Sequence, residues 1–278
     1  MKLARLGDMG AERLAAVDAD GDYRDISADF PDLTPDLLSD LSPLQALDLA
    51  SYPVVEGSPR IGACVGHVGK FICVGLNYSD HAAESNMPVP EEPILFAKAT
   101  SAICGPNDDV LIPPGAEKVD WEVELGIVIG KEARYVSQAD ALDHVAGYCV
   151  VNDVSERHYQ LEIGGQWIKG KSADTFGPTG PWLVTRDEVP DPQELSMWLD
   201  VDGRRFQDGS TNTMIFGVAH LVSYISHYMS LQPGDIISTG TPPGVGLGKK
   251  PPVFLKAGQT MRLGIDGLGE QQQMARAT

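Results

Sequence analysis

Trp121-Glu-Val-Glu-Leu-Gly-Ile-Val-Ile-Gly130 is the stretch that decides the fold. Side chains on a strand alternate between faces, so Glu122 and Glu124 point one way while Val123, Leu125 and Ile127 point the other. Ionised carboxylates beside a strand this apolar are costly to bury without a cationic partner. An isolated pair of this kind more often marks a strand with one wet face, as antiparallel sheets commonly have. A third carboxylate tips the balance. Asp153 closes another apolar run, Tyr148-Cys-Val-Val-Asn-Asp153. Taken alone it reads as a turn former or helix cap. Together, and with no histidine or cysteine at ligand spacing, Glu122, Glu124 and Asp153 fit a hard divalent ion bound through oxygen. Mg2+ is the first expectation, Mn2+ and Ca2+ are alternatives, and zinc is disfavoured.

The same texture recurs along the chain. Short apolar runs separated by Pro and Gly, such as Phe71–Val74, Leu125–Ile129, Val145–Val151, Trp198–Val201, Asp235–Ile237 and Met261–Ile265, predict a predominantly β architecture with some helix. Residues 1–66 are acidic and mixed, with a strand-like piece at Leu14–Val17 and turn chemistry at Phe30-Pro-Asp-Leu-Thr-Pro35, and read as a small N-terminal domain before a catalytic domain over 67–278. Helical spacing covers Phe216–Met229, where His220 and His227 read as surface or packing residues. A second short helix is expected over Ser137–Val145, capped by Ser137.

With 278 residues and 42% hydrophobic content the chain can bury a sizeable core. A formal charge of -18 argues against nucleic acid and acidic lipid as partners, since both demand basic patches. A small anionic substrate is compatible only if the site carries local positive charge. Cys64, Cys73, Cys104 and Cys149 lack C-x-x-C spacing and read as reduced, buried thiols. The N-terminus has no apolar signal region and no run reaches membrane-spanning length, so a soluble, cytoplasmic protein is expected.

Several segments carry candidate chemistry. In Asn77-Tyr-Ser-Asp-His-Ala-Ala-Glu84, Ser79 or Asp80 can cap a short helix on which His81 and Glu84 share a face. A carboxylate beside an imidazole raises its basicity and fixes its tautomer, as a general base requires. A surface pair on a capped turn is the plainer reading. Pro88 and Pro90 keep this helix short and suggest a lid. Gly165-Gln-Trp-Ile-Lys-Gly-Lys-Ser172 satisfies the phosphate-loop pattern, yet Trp167 and Ile168 fill the loop and Ala173–Pro181 cannot form the long helix such a loop needs. Nucleoside triphosphate binding is therefore rejected, although Lys171 remains a candidate for holding a substrate carboxylate or a developing enolate. Arg157 and Gln160 follow Asp153 closely, and Ser238–Gly246 is a small-residue loop whose amides can approach an anion.

In order along the chain, Gly75-Leu-Asn-Tyr-Ser-Asp-His-Ala-Ala-Glu84, Glu122-Val-Glu124, Asn152-Asp153 with Arg157, Gly170–Pro178, Met214-Ile-Phe216 and Pro233–Pro242 with Gly244-Val-Gly246 resemble the fumarylacetoacetate hydrolase superfamily. The resemblance covers roughly Phe71–Asp266. It implies a mixed-β fold, usually homodimeric, with Mg2+ or a similar ion at Glu122, Glu124 and Asp153. It further implies a water-activating dyad of His81 and Glu84, with Lys171 beside the metal and Arg157, Gln160 and Thr241 contacting substrate. The family includes C–C hydrolases of β-diketo acids, decarboxylases of oxaloacetate type and isomerases of 2-hydroxymuconate type. The flanking pattern looks most like members acting on sugar-derived substrates, so the favoured expectation is cleavage of a 2,4-diketo-3-deoxy sugar acid to pyruvate and a carboxylic acid. Ureidoglycolate lyase chemistry on the same metal site is an alternative, and a metal-stabilised binding module without turnover is the last.

Overall fold

The computed structural model describes residues 1–84 and 88–278. In chain order its strands are β1 Lys2–Leu6, β2 Arg13–Val17, β3 Tyr23–Asp25, β4 Phe71–Gly75, β5 Ile94–Lys98, β6 Ile103–Cys104, β7 Val110–Ile112, β8 Val119–Asp120, β9 Val123–Ile129, β10 Val145–Asn152, β11 Ser155–Glu156, β12 Gly177–Thr185, β13 Ser196–Val201, β14 Arg204–Ser210, β15 Ile236–Ser238, β16 Thr260–Ile265 and β17 Gly269–Ala277. Two sheets dominate. The larger runs β3-β2-β1-β12-β10-β9-β15-β4-β5, with β6 alongside β12, and the smaller runs β14-β13-β16-β17-β7. Short helices are α1 Pro35–Ser39, α2 Ser42–Gln45, α3 Ser79–Glu84, α4 Ile168–Lys171 and α5 Val218–Ser226. The architecture is the sheet-dominated mixed β fold that the apolar runs predict.

Burial explains why β9 sits at the centre. It is flanked by antiparallel neighbours on both sides, β10 and β15. All seven of its residues are buried, so the wet-face alternative does not apply. Val123, Leu125, Ile127 and Ile129 face one core, shared with Met197, Leu199, Met261 and Leu263 of the smaller sheet. Val128 faces a second core, which Leu3, Leu14, Leu33, Leu38 and Leu44 of the N-terminal segment build against Phe71 and Cys73. The N-terminal strands pair onto the same sheet through β1 and β12, with Leu3 opposite Leu183.

Two helix expectations need correction. Only Val218–Ser226 of the Phe216–Met229 segment is α-helical: at its start buried Asn77 accepts from the Phe216 N–H at 2.9 Å and donates to its carbonyl at 3.0 Å, and at its end the His227 and Tyr228 N–H groups close a tighter turn on the Tyr224 and Ile225 carbonyls. The Asn77 bonds hold the segment extended up to Gly217. Within it, His220 stacks between Phe216 and Tyr224, a packing role. Over Ser137–Val145 there is a single 3-10 turn, Ala141–His144. Ser137 bonds the side chain and backbone of Asp140 at 2.7 and 3.3 Å, which closes a tight turn in place of a cap, and Val145 already belongs to β10. Cys64, Cys73, Cys104 and Cys149 are all free and buried, as expected. Among the described residues no helix is long and apolar enough to cross a membrane.

Candidate metal centre and its cavity

Glu122 immediately precedes β9 and Glu124 lies within it, while Asp153 follows β10, the neighbouring strand that pairs Asn152 with Val123. Antiparallel register therefore brings three carboxylates from two chain segments to one end of the sheet. One oxygen from each of Glu122, Glu124 and Asp153 lies within 4.8 Å of the others, and all three residues are buried. Short backbone links hold the arrangement, with the Asp153 N–H donating to the Glu122 carbonyl at 2.9 Å and the Glu122 N–H to Asn152 Oδ1 at 3.2 Å.

Buried charge at this density demands cations, and three side chains supply them. Lys171 Nζ donates to Glu122 Oε2 and Asp153 Oδ2, each at 2.7 Å. Arg157 Nη2 donates to Glu122 Oε1 at 2.7 Å, its Nε to Asp120 Oδ2 at 2.8 Å and its Nη1 to Gln160 Oε1 at 3.1 Å. Lys98 pairs with the remaining oxygen of Asp153. Burial alone would raise the Glu122 carboxyl, but Arg157 and Lys171 hold it well below the ordinary range. The same carboxylates keep the buried Lys171 ammonium charged against the cost of its desolvation.

Glu124 differs. Its partners among the described residues are the Ser238 hydroxyl at 2.6 Å and the Gly240 N–H at 2.9 Å, both neutral. Burial, then the charges of Asp153 and Glu122, push its carboxyl well above the usual range. Four buried acids, Asp120 included, thus face three buried cations, Lys98, Arg157 and Lys171. A divalent cation is the group that this imbalance and an all-oxygen donor set accommodate.

The phosphate-loop lookalike folds to serve this centre. Ile168–Lys171 makes one helical turn that delivers Lys171, 1% exposed, onto the carboxylates, with no long helix after it. Gly170 is required there, since a Cβ would stand 2.4 Å from the Glu156 carbonyl and 2.5 Å from the Gln160 nitrogen. Gln160 itself sits on a π-helical turn, His158–Glu162, beside that glycine. Trp167 lies edge-on to Phe96 at 5.2 Å and against Gly75, forming one wall of the cavity.

In the same cavity, α3 places His81 Nδ1 3.3 Å from Glu84 Oε2. A carboxylate only accepts, so Nδ1 is the donor in this contact, and in the neutral imidazole Nε2 is then the basic nitrogen. Glu84 also accepts from the Gly244 N–H at 3.0 Å, which ties α3 to the Ser238–Gly246 loop. The His81 contact, with Gly244 and Lys249, holds Glu84 below the usual carboxylate range. Asn77, buried before α3, donates to the Thr239 carbonyl at 2.8 Å and so fixes the approach of the helix. The lid expectation falls partly on Ser85–Met87, outside the described residues.

His81, Glu84, Glu122, Glu124, Arg157, Gln160, Lys171 and Thr241 all line one cavity of about 540 Å3, with Asp153 completing the acidic cluster beneath. Thr241 contributes less than its position suggests. Its hydroxyl donates to the Val123 carbonyl and accepts from Gln207 Nε2, both at 2.8 Å, so that proton is spent inside the scaffold. Sequence reasoning missed Lys98, Asp120 and Gln207. Asp120 is fully buried and gathers the N–H groups of Trp121, Gly246 and Leu247 as well as Arg157 Nε. Its position two residues before Glu122, continuing the alternation, was the available signal.

The family model for the fumarylacetoacetate (FAA) hydrolase C-terminal region matches residues 70–275. The chain belongs to that family. A Burkholderia cenocepacia (strain HI2424) protein named only as a hydrolase is 66% identical over 279 residues, covering 99% of both chains. Among solved structures, the fumarylacetoacetate hydrolase of Exiguobacterium antarcticum is 36% identical with a TM-score of 0.89, covering all of both chains. The maleylpyruvate hydrolase of Sphingobium sp. SYK-6, solved with manganese(II) and pyruvate, is 32% identical with a TM-score of 0.83, covering 100% of this chain and 99% of that one. A 2-hydroxyhepta-2,4-diene-1,7-dioate isomerase from Mycobacterium marinum is 32% identical with a TM-score of 0.76 and the same coverage.

Proposed function

We propose that the protein is a Mg2+-dependent hydrolase that cleaves a 2,4-diketo acid between C3 and C4 to give pyruvate and a second carboxylic acid. The observation that carries this reading is the pairing, across one cavity, of an acidic centre for a divalent cation with a separate histidine–carboxylate dyad. Glu122, Glu124 and Asp153 would hold the divalent cation, which when bound would supply Lewis acidity toward a 2-oxo acid. Arg157, oriented by Asp120 and Gln160, holds the substrate carboxylate. His81 Nε2 takes a proton from water while Glu84 steadies the imidazolium that forms. That water attacks C4, the C3–C4 bond breaks, and the electron pair stays on the pyruvate side as an enolate. The Lys171 ammonium faces the developing charge, and protonation at C3 completes the addition of one water.

The test is His81→Ala on a panel of acylpyruvates and oxaloacetate. The expected result is a loss of about 10²–10⁴-fold in kcat for hydrolysis, with oxaloacetate decarboxylation, which requires no activated water, largely retained. Wild-type hydrolysis rates in this variant would refute the dyad. From family and composition we also infer a homodimer in a thiol-reducing cytoplasm, the assembly being measurable by light scattering.

A further inference from the structure

Strand β14 ends the smaller sheet, and one of its seven residues is buried, Gln207. Its cross-strand partner is the core residue Leu199, so position 207 calls for an apolar side chain. A buried primary amide is costly unless its oxygen and nitrogen are both bonded. Here they are. Gln207 Oε1 accepts from the Val123 N–H at 2.9 Å, while Nε2 donates to Thr241 Oγ1 at 2.8 Å and to the Pro242 carbonyl at 2.9 Å. The Thr241 hydroxyl in turn donates to the Val123 carbonyl at 2.8 Å. Both backbone polar groups of Val123 are thus closed into one ring of hydrogen bonds with Gln207 and Thr241.

Val123 is the residue between Glu122 and Glu124, so the orientation of its peptide groups sets where both carboxylates start from. The Glu122 peptide is held separately, by Asn152 Oδ1 and the Asp153 N–H, and Glu124 lies opposite Val151 in the β10 ladder. The far side of the ring is the Ser238–Gly246 loop, whose Gly240 N–H donates to Glu124. Strand β14 meets that loop without slack, since a Cβ on Gly209 would stand 2.5 Å from the Pro242 Cβ and one on Gly244 only 1.9 Å from the Phe206 carbonyl. One glutamine therefore joins the strand that carries two acidic ligands to the loop that orients one of them. Resting on the metal-centre reading above, we propose that Gln207 is a positioning residue for that centre: from the neighbouring sheet it fixes the Val123 peptide, and with it the spacing of the Glu122 and Glu124 carboxylates that a divalent cation requires.

The test titrates Mn2+ into wild type, Gln207→Met and Leu263→Ala, with free Mn2+ read from its electron paramagnetic resonance signal and folding read from thermal melts. Gln207→Met is expected to raise the Mn2+ Kd by about tenfold while still melting cooperatively, as loss of a group that orients metal ligands does. Leu263→Ala truncates the apolar core of the smaller sheet, and is expected to lower Tm with the Kd unchanged. An unchanged Kd in folded Gln207→Met, or an equal rise in Leu263→Ala, overturns the positioning role while the metal centre stands. Thr241→Val removes the hydroxyl that closes the ring on the Val123 carbonyl and is expected to raise the Kd as well. Should Gln207→Met fail to fold, an unchanged Kd in Thr241→Val refutes the proposal in its place. Absence of Mn2+ uptake by wild type would instead remove the metal centre, and the proposal with it.

Discussion

In the acidic centre, Glu122 and Asp153 are each held by two cations at fixed geometry, and the chain around them is fully buried strand. Elsewhere in the same lining, the dyad sits on the six-residue helix α3, with Glu84 half-buried and Lys249 loosely placed. The contrast is one of dielectric. Inside, each charge is worth several kcal/mol and removing one leaves its partners stranded, whereas the partly exposed Lys249–Glu84 contact is weakened by solvent. Structural cost should therefore concentrate around the acidic centre.

Lys171→Met sharpens this contrast most. It strips Glu122 and Asp153 of a shared cation, and although Arg157 and Lys98 remain, about 3 kcal/mol of stability should be lost, measurable by urea denaturation. Asp120→Asn comes next. It weakens the hold on Arg157 and on the Gly246 and Leu247 amides, for an expected cost of about 1–3 kcal/mol and a rise in KM for the substrate carboxylate. A stability loss without a KM change would mean that Arg157 is positioned by Glu122 and Gln160 alone.

Glu84→Gln should show the smallest effect, about 1 kcal/mol, because a Gln oxygen can still accept from the Gly244 N–H and only the charge is lost. Its sign with pH is informative. The His81 contact holds Glu84 below its ordinary value of 4.5, so the ionised side chain stabilises the fold above that pH and loses the contribution as pH falls through the lowered value. Thermal melts should show a gap between wild type and Glu84→Gln at neutral pH that closes in acid. A gap independent of pH would remove the ionic contact from the account.

Sequence legibility follows the same divide. Glu122, Glu124 and Asp153 stand out because charge interrupts strong apolar periodicity, and Lys171 because its loop imitates a phosphate-binding pattern that its neighbours forbid. Lys98 is hidden, since it meets Asp153 across 55 residues of chain and carries no local pattern, whereas Asp120 continues the alternation of Glu122 and Glu124 and is legible only through them. Strand β17 was equally hidden. Gly269-Glu-Gln-Gln-Gln-Met-Ala-Arg-Ala277 holds no apolar run, yet Gln271 and Gln273 are buried and spend their amides on Val150, Gly180 and Pro106 carbonyls. The helix after Phe216 starts late because a remote side chain, Asn77, claims backbone groups that local periodicity assigns to the helix, and the one expected from Ser137 gives way to a local Ser137–Asp140 turn.

The central claim is that Glu122, Glu124 and Asp153 hold one divalent cation, and calorimetric titration of Mg2+ and Mn2+ into the protein tests it directly. The account predicts a single saturable site on wild type that is lost in Glu124→Gln and in Asp153→Asn, both still melting cooperatively. Undiminished uptake in those folded variants, or none by wild type, would contradict it.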